Sequence, residues 1–156
     1  MQRRYHTAGN QATTASSYKT ALLLVSTSGI RPAIYEFNVG TEGAPAENAV
    51  VYVLQRSTTT VTLTAVTPLP LDPTDATVTA PAATAIGLNN ASAEPTYTSN
   101  QFLWGPLGFN QRATYRWVAA PGGELLLPAI AAAGAGMQCK SAAYTGITDA
   151  TFDHME

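Results

Sequence analysis

The chain has few of the features that membrane proteins and disulfide-stabilised proteins depend on. Its 156 residues include one cysteine, Cys139, which excludes an internal disulfide framework and a zinc site built from several thiolates. No segment reaches the roughly 20 consecutive apolar residues of a membrane helix. The run ALLLV at 21–25 is too short and too far from the N-terminus for the core of a signal peptide. The sequence therefore predicts neither a membrane span nor an export signal.

Charge is scarce as well. Asp, Glu, Lys and Arg make up 12% of the residues, and the formal net charge is -2. This share is roughly half of what a soluble domain usually carries. Without a polybasic region, nucleic acid and anionic membrane are not expected as partners. A surface of Thr, Ala and Ser suits a chain that buries much of its exterior against neighbours, although a secreted or merely Thr-rich β domain would share this composition.

Groups that could carry out catalysis are few. The two histidines, His6 and His154, lie close to the chain ends, where we expect mobile chain and not the rigid frame of a Ser-His-Asp triad. There is no ligand spacing for zinc and no glycine-rich phosphate loop. Asp72 and Asp75 in DPTD could bind a metal, but aspartates in such turns usually cap backbone N–H groups. The glutamates leave a glycosidase-like carboxylate pair open, yet none has a recognisable context. We predict a protein that is not an enzyme and has no cofactor or metal site.

The chain does contain the alternation that is typical of β-strands. In PAIYEFNVGT, Ala33, Tyr35, Phe37 and Val39 take one face and Glu36 and Asn38 the other, and ITDATFDHM alternates in a similar way. Similar runs, separated by Gly, Pro and Asn, recur between residues 17 and 156 and include TTTVTLTAVT. They predict a single all-β domain over residues 17–156, an antiparallel β-sandwich or jelly-roll-like fold, and they leave a barrel open.

Two segments interrupt this pattern. Residues 1–16 lack apolar periodicity and predict a flexible N-terminal arm. Residues 67–95 hold many prolines and predict a long connection that contains one short strand near 76–79. Loops of that length in compact domains are usually functional or make contacts.

The stretch TYRWVAAPGGELLLP at 114–128 predicts a β-hairpin. Gly122 and Gly123 would supply the positive φ values of its tight turn. Arg112 and Arg116 share one face of the incoming strand, where they could bind an acidic partner or form cross-strand or intersubunit salt bridges.

The tryptophans have two interpretations. Trp104 and Trp117 could form a sugar-stacking platform, but packing in the core or in an interface is the favoured reading. Cys139 is interpreted as a small buried residue and not as a nucleophile.

Two clusters of the sequence resemble small virion proteins of tailed bacteriophages. The first is FNVGTEGAPAENAVVYVLQRST followed by PLPLDPTDA, and the second is AEPTYT followed by NQRATYRWVAAPGGELLLPAIAAAGAGM. Such proteins are found beside capsid genes and are regarded as head decoration, or cement, proteins. The resemblance covers about residues 20 to 153 and depends on the order of elements more than on any one motif.

The resemblance implies a β-sandwich or jelly roll that forms a homo-oligomer, a trimer, on the outer capsid surface of the virion after synthesis in the host bacterial cytoplasm. There it would bridge subunits of the major capsid protein and resist the pressure of packaged DNA. We take Arg3, Arg4, Arg112, Arg116 and Trp104 as candidate subunit or capsid contacts. The alternative function is a tail, baseplate or fibre-associated β module that binds glycans through its aromatic residues.

Overall fold

The computed structural model describes residues 2–15, 17–43, 46–59, 66–75 and 93–156. In these residues the regular structure is entirely β. The strands are β1 (Arg4–Ala12), β2 (Lys19–Val25), β3 (Ala33–Glu42), β4 (Ala49–Ser57), β5 (Leu69–Pro70), β6 (Tyr97–Asn110), β7 (Tyr115–Val118), β8 (Leu125–Leu126), β9 (Gly134–Lys140) and β10 (Ile147–Met155). The described residues contain no helix that could span a membrane. The strand predicted at 76–79 and most of the one predicted in TTTVTLTAVT lie outside the described residues.

The strands form two antiparallel sheets. The first has the order β5-β1-β10-β3-β7, with β8 also paired to β3, and the second has the order β2-β9-β4-β6. The pairs β1–β10, β2–β9, β3–β7 and β4–β6 are nested within one another along the chain, and β10–β3 and β9–β4 complete the sheets. With the two-residue strands β5 and β8 set aside, each sheet has four strands, and this nested pairing is the jelly-roll arrangement. The predicted antiparallel sandwich is confirmed.

The core lies between the two sheets. Phe37 and Phe152 from the first sheet and Leu22, Leu54 and Met137 from the second are fully buried. The predicted alternation of β10 is confirmed, because its even-numbered residues from 148 to 154 are buried and its odd-numbered residues are half-buried.

The alternation of β3 is interrupted by a β-bulge. The ladder to β10 shifts register between Asp153 and His154, and Tyr35 is the extra residue. Because one inserted residue reverses which side chains face inward, Ile34 occupies the core position and Tyr35 is half-exposed. The prediction that Tyr35 shares an inner face with Phe37 is therefore wrong.

Residues 4–12 form a strand of the sandwich and not a flexible arm. Strand β1 pairs with β10 over all nine of its residues and with β5 on its other side. Tyr5, Thr7, Gly9 and Gln11 are buried, while the residues between them are exposed or half-buried. The arm predicted over 1–16 is wrong for this part, because the inward positions hold mostly small or polar residues that a search for apolar periodicity does not detect.

The predicted hairpin at 114–128 is also wrong. Strands β7 and β8 do not pair with each other, since both pair with β3 and follow one another along the same edge. Gly123 N–H donates to Ala120 O at 2.7 Å to close a turn, and of the two glycines only Gly122 has a positive φ, +77°. Pro followed by Gly at the centre of a turn is typical of type II, so the PGG stretch is a loop within one edge strand.

Candidate functional site

An aromatic cluster joins the two sheets at one side of the sandwich. Trp104 and Phe109 of β6 each lie 5.1 Å from the Tyr115 ring of β7, measured between centroids. Phe37 of β3 stacks on Trp117 at 5.2 Å and meets Trp104 edge-on at 5.1 Å. These separations are in the favourable range for ring pairs. Both tryptophans are thus engaged by rings of their own chain, which agrees with the packing interpretation.

The outer part of this cluster is open to solvent, and we call it the edge surface. Its exposed members are Phe102, Leu107, Val118 and Leu126, and its half-buried members are Leu103, Trp104, Phe109, Tyr115, Trp117 and Leu125. None of the 14 residues of β6 is buried. By contrast, six of the seven residues of β2, the opposite edge strand of the same sheet, are buried. Exposed and half-buried apolar side chains gathered along one side of a sandwich are typical of a contact region.

A second apolar surface lies on the other side of the molecule. Leu69 and Leu71 are 64% and 50% exposed beside the short strand β5, and we call them, with Arg4, the corner surface. A groove of about 350 Å³ next to them is lined by Leu71, Arg4, Asp72 and others. Strands β5 and β7 end the first sheet at opposite sides, so the corner surface and the edge surface face away from each other.

Asp72 and Asp75 form a capped turn. The Asp72 Oδ1 atom accepts hydrogen bonds from Thr74 N–H at 2.8 Å and from Thr74 Oγ1 at 2.7 Å, and these bonds lower the pKa of Asp72. Asp75 N–H donates to Asp72 O at 3.0 Å. The prediction that these aspartates cap backbone N–H groups is confirmed for Asp72.

Two of the candidate arginines form ion pairs within the chain. Arg116 contacts Glu36 through both oxygens, at 2.5 Å from Nε and 2.8 Å from Nη2, and this contact lowers the pKa of Glu36 and raises that of Arg116. Arg112 Nη1 lies 3.4 Å from Glu47 Oε1. Both arginines and Glu47 are exposed and only Glu36 is half-buried, so we assign these pairs little stability. The sequence left open an acidic partner, cross-strand pairs or intersubunit salt bridges for these arginines, and the structure contains ion pairs within the chain.

The other two candidate arginines lie near the start of β1. Arg4 sits over the Tyr35 ring, 5.9 Å from its centroid. Arg3 is exposed and lines a groove of about 440 Å³ with Arg31 and Glu156. Trp104 is therefore the one candidate of the five within the edge surface, while Arg4 belongs to the corner surface.

A carboxylate pair that the sequence did not reveal lies on the outer face of the first sheet. Asp149 of β10 lies close to Glu42 of β3, beside a groove of about 320 Å³ lined by Gly40, Thr114 and Thr151 among others. Burial and then the Glu42 carboxylate raise the pKa of Asp149 to about 6. In the described part of the chain no three His, Cys, Asp or Glu residues are grouped so that they could hold a metal ion.

The histidines are held in the sheet, contrary to prediction. His6 of β1 and Asp153 of β10 are register partners, and His6 Nδ1 lies 2.6 Å from Asp153 Oδ1. His154 is fully buried and stacks on Tyr5 with ring centroids 5.5 Å apart. Placing both histidines required the β1–β10 ladder, which no local pattern predicted.

Cys139 is buried, as predicted. Its Sγ atom lies 2.8 Å from Thr148 Oγ1 and 3.4 Å from Lys19 O. Burial raises the pKa of the thiol to about 11. The thiol is therefore protonated near neutral pH, whereas the thiolate is the reactive form. Cys139 thus acts as a packing residue of the core.

Comparison with protein-family models, with curated proteins and with solved structures finds no match to this chain. The jelly-roll assignment therefore depends on the strand order and pairing described above.

Proposed function

We propose that this protein is a structural protein of a tailed-bacteriophage virion, which decorates and stabilises the capsid. In this proposal it lies on the outer capsid surface and bridges major capsid protein subunits as a homo-oligomer, for which we expect a trimer. It works through contact surfaces and not through bond-making groups.

The observation that supports this proposal is the pair of apolar surfaces on opposite sides of the sandwich. A protein that bridges a shell must contact both copies of itself and the shell, and these contacts need separate surfaces. The edge surface, built around β6, and the corner surface, built around Leu69 and Leu71, meet that need. The jelly roll is also an architecture of viral capsid domains, and closed symmetric oligomers are the common form of such assemblies.

The experiment is a titration of purified heads that lack this protein. We expect saturable binding at a copy number set by the capsid lattice, and no binding to unassembled major capsid protein. In the same assay Leu69→Ser/Leu71→Ser should weaken binding at least tenfold, since it removes the apolar groups assigned to the capsid contact.

Ile130→Ser is the matched control, because Ile130 is an equally exposed residue at 62% that lies outside both surfaces. It should bind heads like the unchanged protein. Heads that take up no protein would overturn the proposal. Undiminished binding by the double variant would overturn the role of the corner surface.

A further inference from the structure

The edge surface has a composition that suits contact with a second copy of this chain. Strand β6, residues 97–110, contains no Asp, Glu, Lys, Arg or His. Phe102 and Leu107 are 46% and 44% exposed in that uncharged strand, and Val118 and Leu126 are exposed on β7 and β8 of the other sheet. A charge that is buried in an interface without a partner destabilises the contact, because it loses its hydration. An uncharged apolar surface avoids that cost.

The size of the edge surface also fits self-association. Its members on β6 lie between Phe102 and Phe109. Such a stretch is about 26 Å long when extended, and an edge that spans two sheets about 10 Å apart, with its side chains, is on the order of 20 Å wide. The resulting area of about 500 Å² from each copy gives about 1,000 Å² in total, which reaches the lower limit for a specific interface.

The irregular backbone of β6 indicates how the contact is made. The β4–β6 ladder shifts register at three places, and Pro106 has no backbone N–H to donate. Bulges and proline on an edge strand oppose the continuous addition of another strand. Packing of side chains is the mode that remains, with the Arg116–Glu36 ion pair at the polar rim.

From these observations we infer that the edge surface is the docking site for a second copy of this chain. The oligomer is built through β6, β7 and β8, which leaves the corner surface free for the capsid. This inference deepens the proposed function and rests on it for the requirement that the protein self-associate.

The test is the oligomeric state of the full chain in solution, measured by light scattering and native mass spectrometry. Phe102→Lys/Leu107→Lys and, separately, Val118→Lys/Leu126→Lys should each raise the dissociation constant of the oligomer at least 100-fold, because a lysine buried in the interface loses its hydration. Leu69→Lys/Leu71→Lys adds the same charge at the opposite side and should leave the oligomer intact.

Three results would overturn the inference. They are an unchanged protein that is monomeric at high concentration, edge variants that remain oligomeric, and a corner variant that dissociates equally. A monomer in which the β6 amides that do not bond to β4 are protected from hydrogen exchange would show that another segment of the same chain covers the edge. If the lysine variants do not fold, as judged by circular dichroism, Phe102→Ser/Leu107→Ser provides the same test without added charge.

The head-binding titration separates the inference from the proposed function. Edge-dependent oligomers that do not bind heads would leave the inference standing and remove the function. Monomers that bind heads would remove the inference and leave capsid binding standing.

Discussion

At the scale of single residues, Asp149 is a carboxyl group whose ionisation the fold makes less favourable. Its pKa is raised to about 6 by burial and by the neighbouring Glu42 carboxylate. Below the ordinary value of 3.8 the carboxyl is protonated in both folded and unfolded chains, so it contributes nothing to pH dependence. Between 3.8 and 6 the folded state binds more protons, and stability falls as the pH rises. Above about pH 6 Asp149 is ionised in the folded chain, which then bears the full free-energy cost of that carboxylate.

We therefore expect the substitution Asp149→Asn to increase the free energy of unfolding more at pH 8 than at pH 4. A shift of two pKa units corresponds to about 3 kcal/mol for a fully buried group, and solvent screening of this half-exposed side chain reduces it to roughly 1 kcal/mol. Urea denaturation at both pH values measures the difference. Asp72→Asn is the control, because the pKa of Asp72 is lowered and its loss should not stabilise. An equal effect of Asp149→Asn at pH 4 and pH 8 would contradict the assignment.

Some residue placements could be predicted from sequence and others could not. The burial of Cys139, the inward Phe152 and the capped Asp72 turn follow from local chemistry and alternation. The Asp149–Glu42 pair does not, because its members lie on separate strands and meet only through the β3–β10 ladder. Tyr35 was misplaced because a bulge depends on a partner strand and leaves no mark in the alternation of its own strand.

At the scale of elements, sequence patterns predicted where strands occur better than which strands pair. The segments of β7 and β8 were both predicted, yet their common partner is β3. A turn sequence specifies only the local reversal of the chain, and the free edge of β3 offered hydrogen bonds to both segments. Strand β1 is fully paired but was not predicted as a strand. Its buried positions include Thr7, Gly9 and Gln11, which show no apolar alternation in the sequence.

Deletion of residues 1–12 tests the placement of β1 in the sheet. Because β1 lies between β10 and β5, its removal exposes the inner edge of β10 and uncovers the core beside Phe152. We expect the shortened chain to lose its cooperative thermal transition or to unfold at least 15 °C lower, measured by circular dichroism. Deletion of residues 1–3 should have little effect. A melting temperature for the longer deletion within a few degrees of that of the full chain would favour a dispensable arm.

At the scale of the whole molecule, the antiparallel sandwich was predictable from sequence, but the sequence did not separate a jelly roll from other sandwich topologies. Short alternating strands separated by Gly, Pro and Asn predicted the antiparallel sandwich. The nested order of pairs that makes it a jelly roll emerges only when the first strand meets the last, and β1 is the strand that the sequence concealed. The two apolar surfaces are likewise properties of the assembled sheets, since Leu69 and Val118 come to opposite sides only through the strand order.

The separation of these surfaces leads to a prediction about avidity. If the edge surface joins copies and the corner surface binds the capsid, one oligomer presents several corner surfaces to one lattice. Linked binding of this kind strengthens attachment by about 10²- to 10⁴-fold without any new contact. Phe102→Lys/Leu107→Lys, which retains its corner surface, should therefore bind heads more weakly by that factor, as measured by co-sedimentation with labelled protein.

Fusion of the same variant to an unrelated trimeric coiled coil distinguishes two causes of weak binding. If the loss is one of avidity, the fusion restores binding to heads, because it supplies several corner surfaces at once. If Phe102 and Leu107 contact the capsid themselves, the fused variant stays weak, since lysine still occupies both positions. A lone variant that binds as tightly as the unchanged protein would show that attachment does not depend on joining copies through β6.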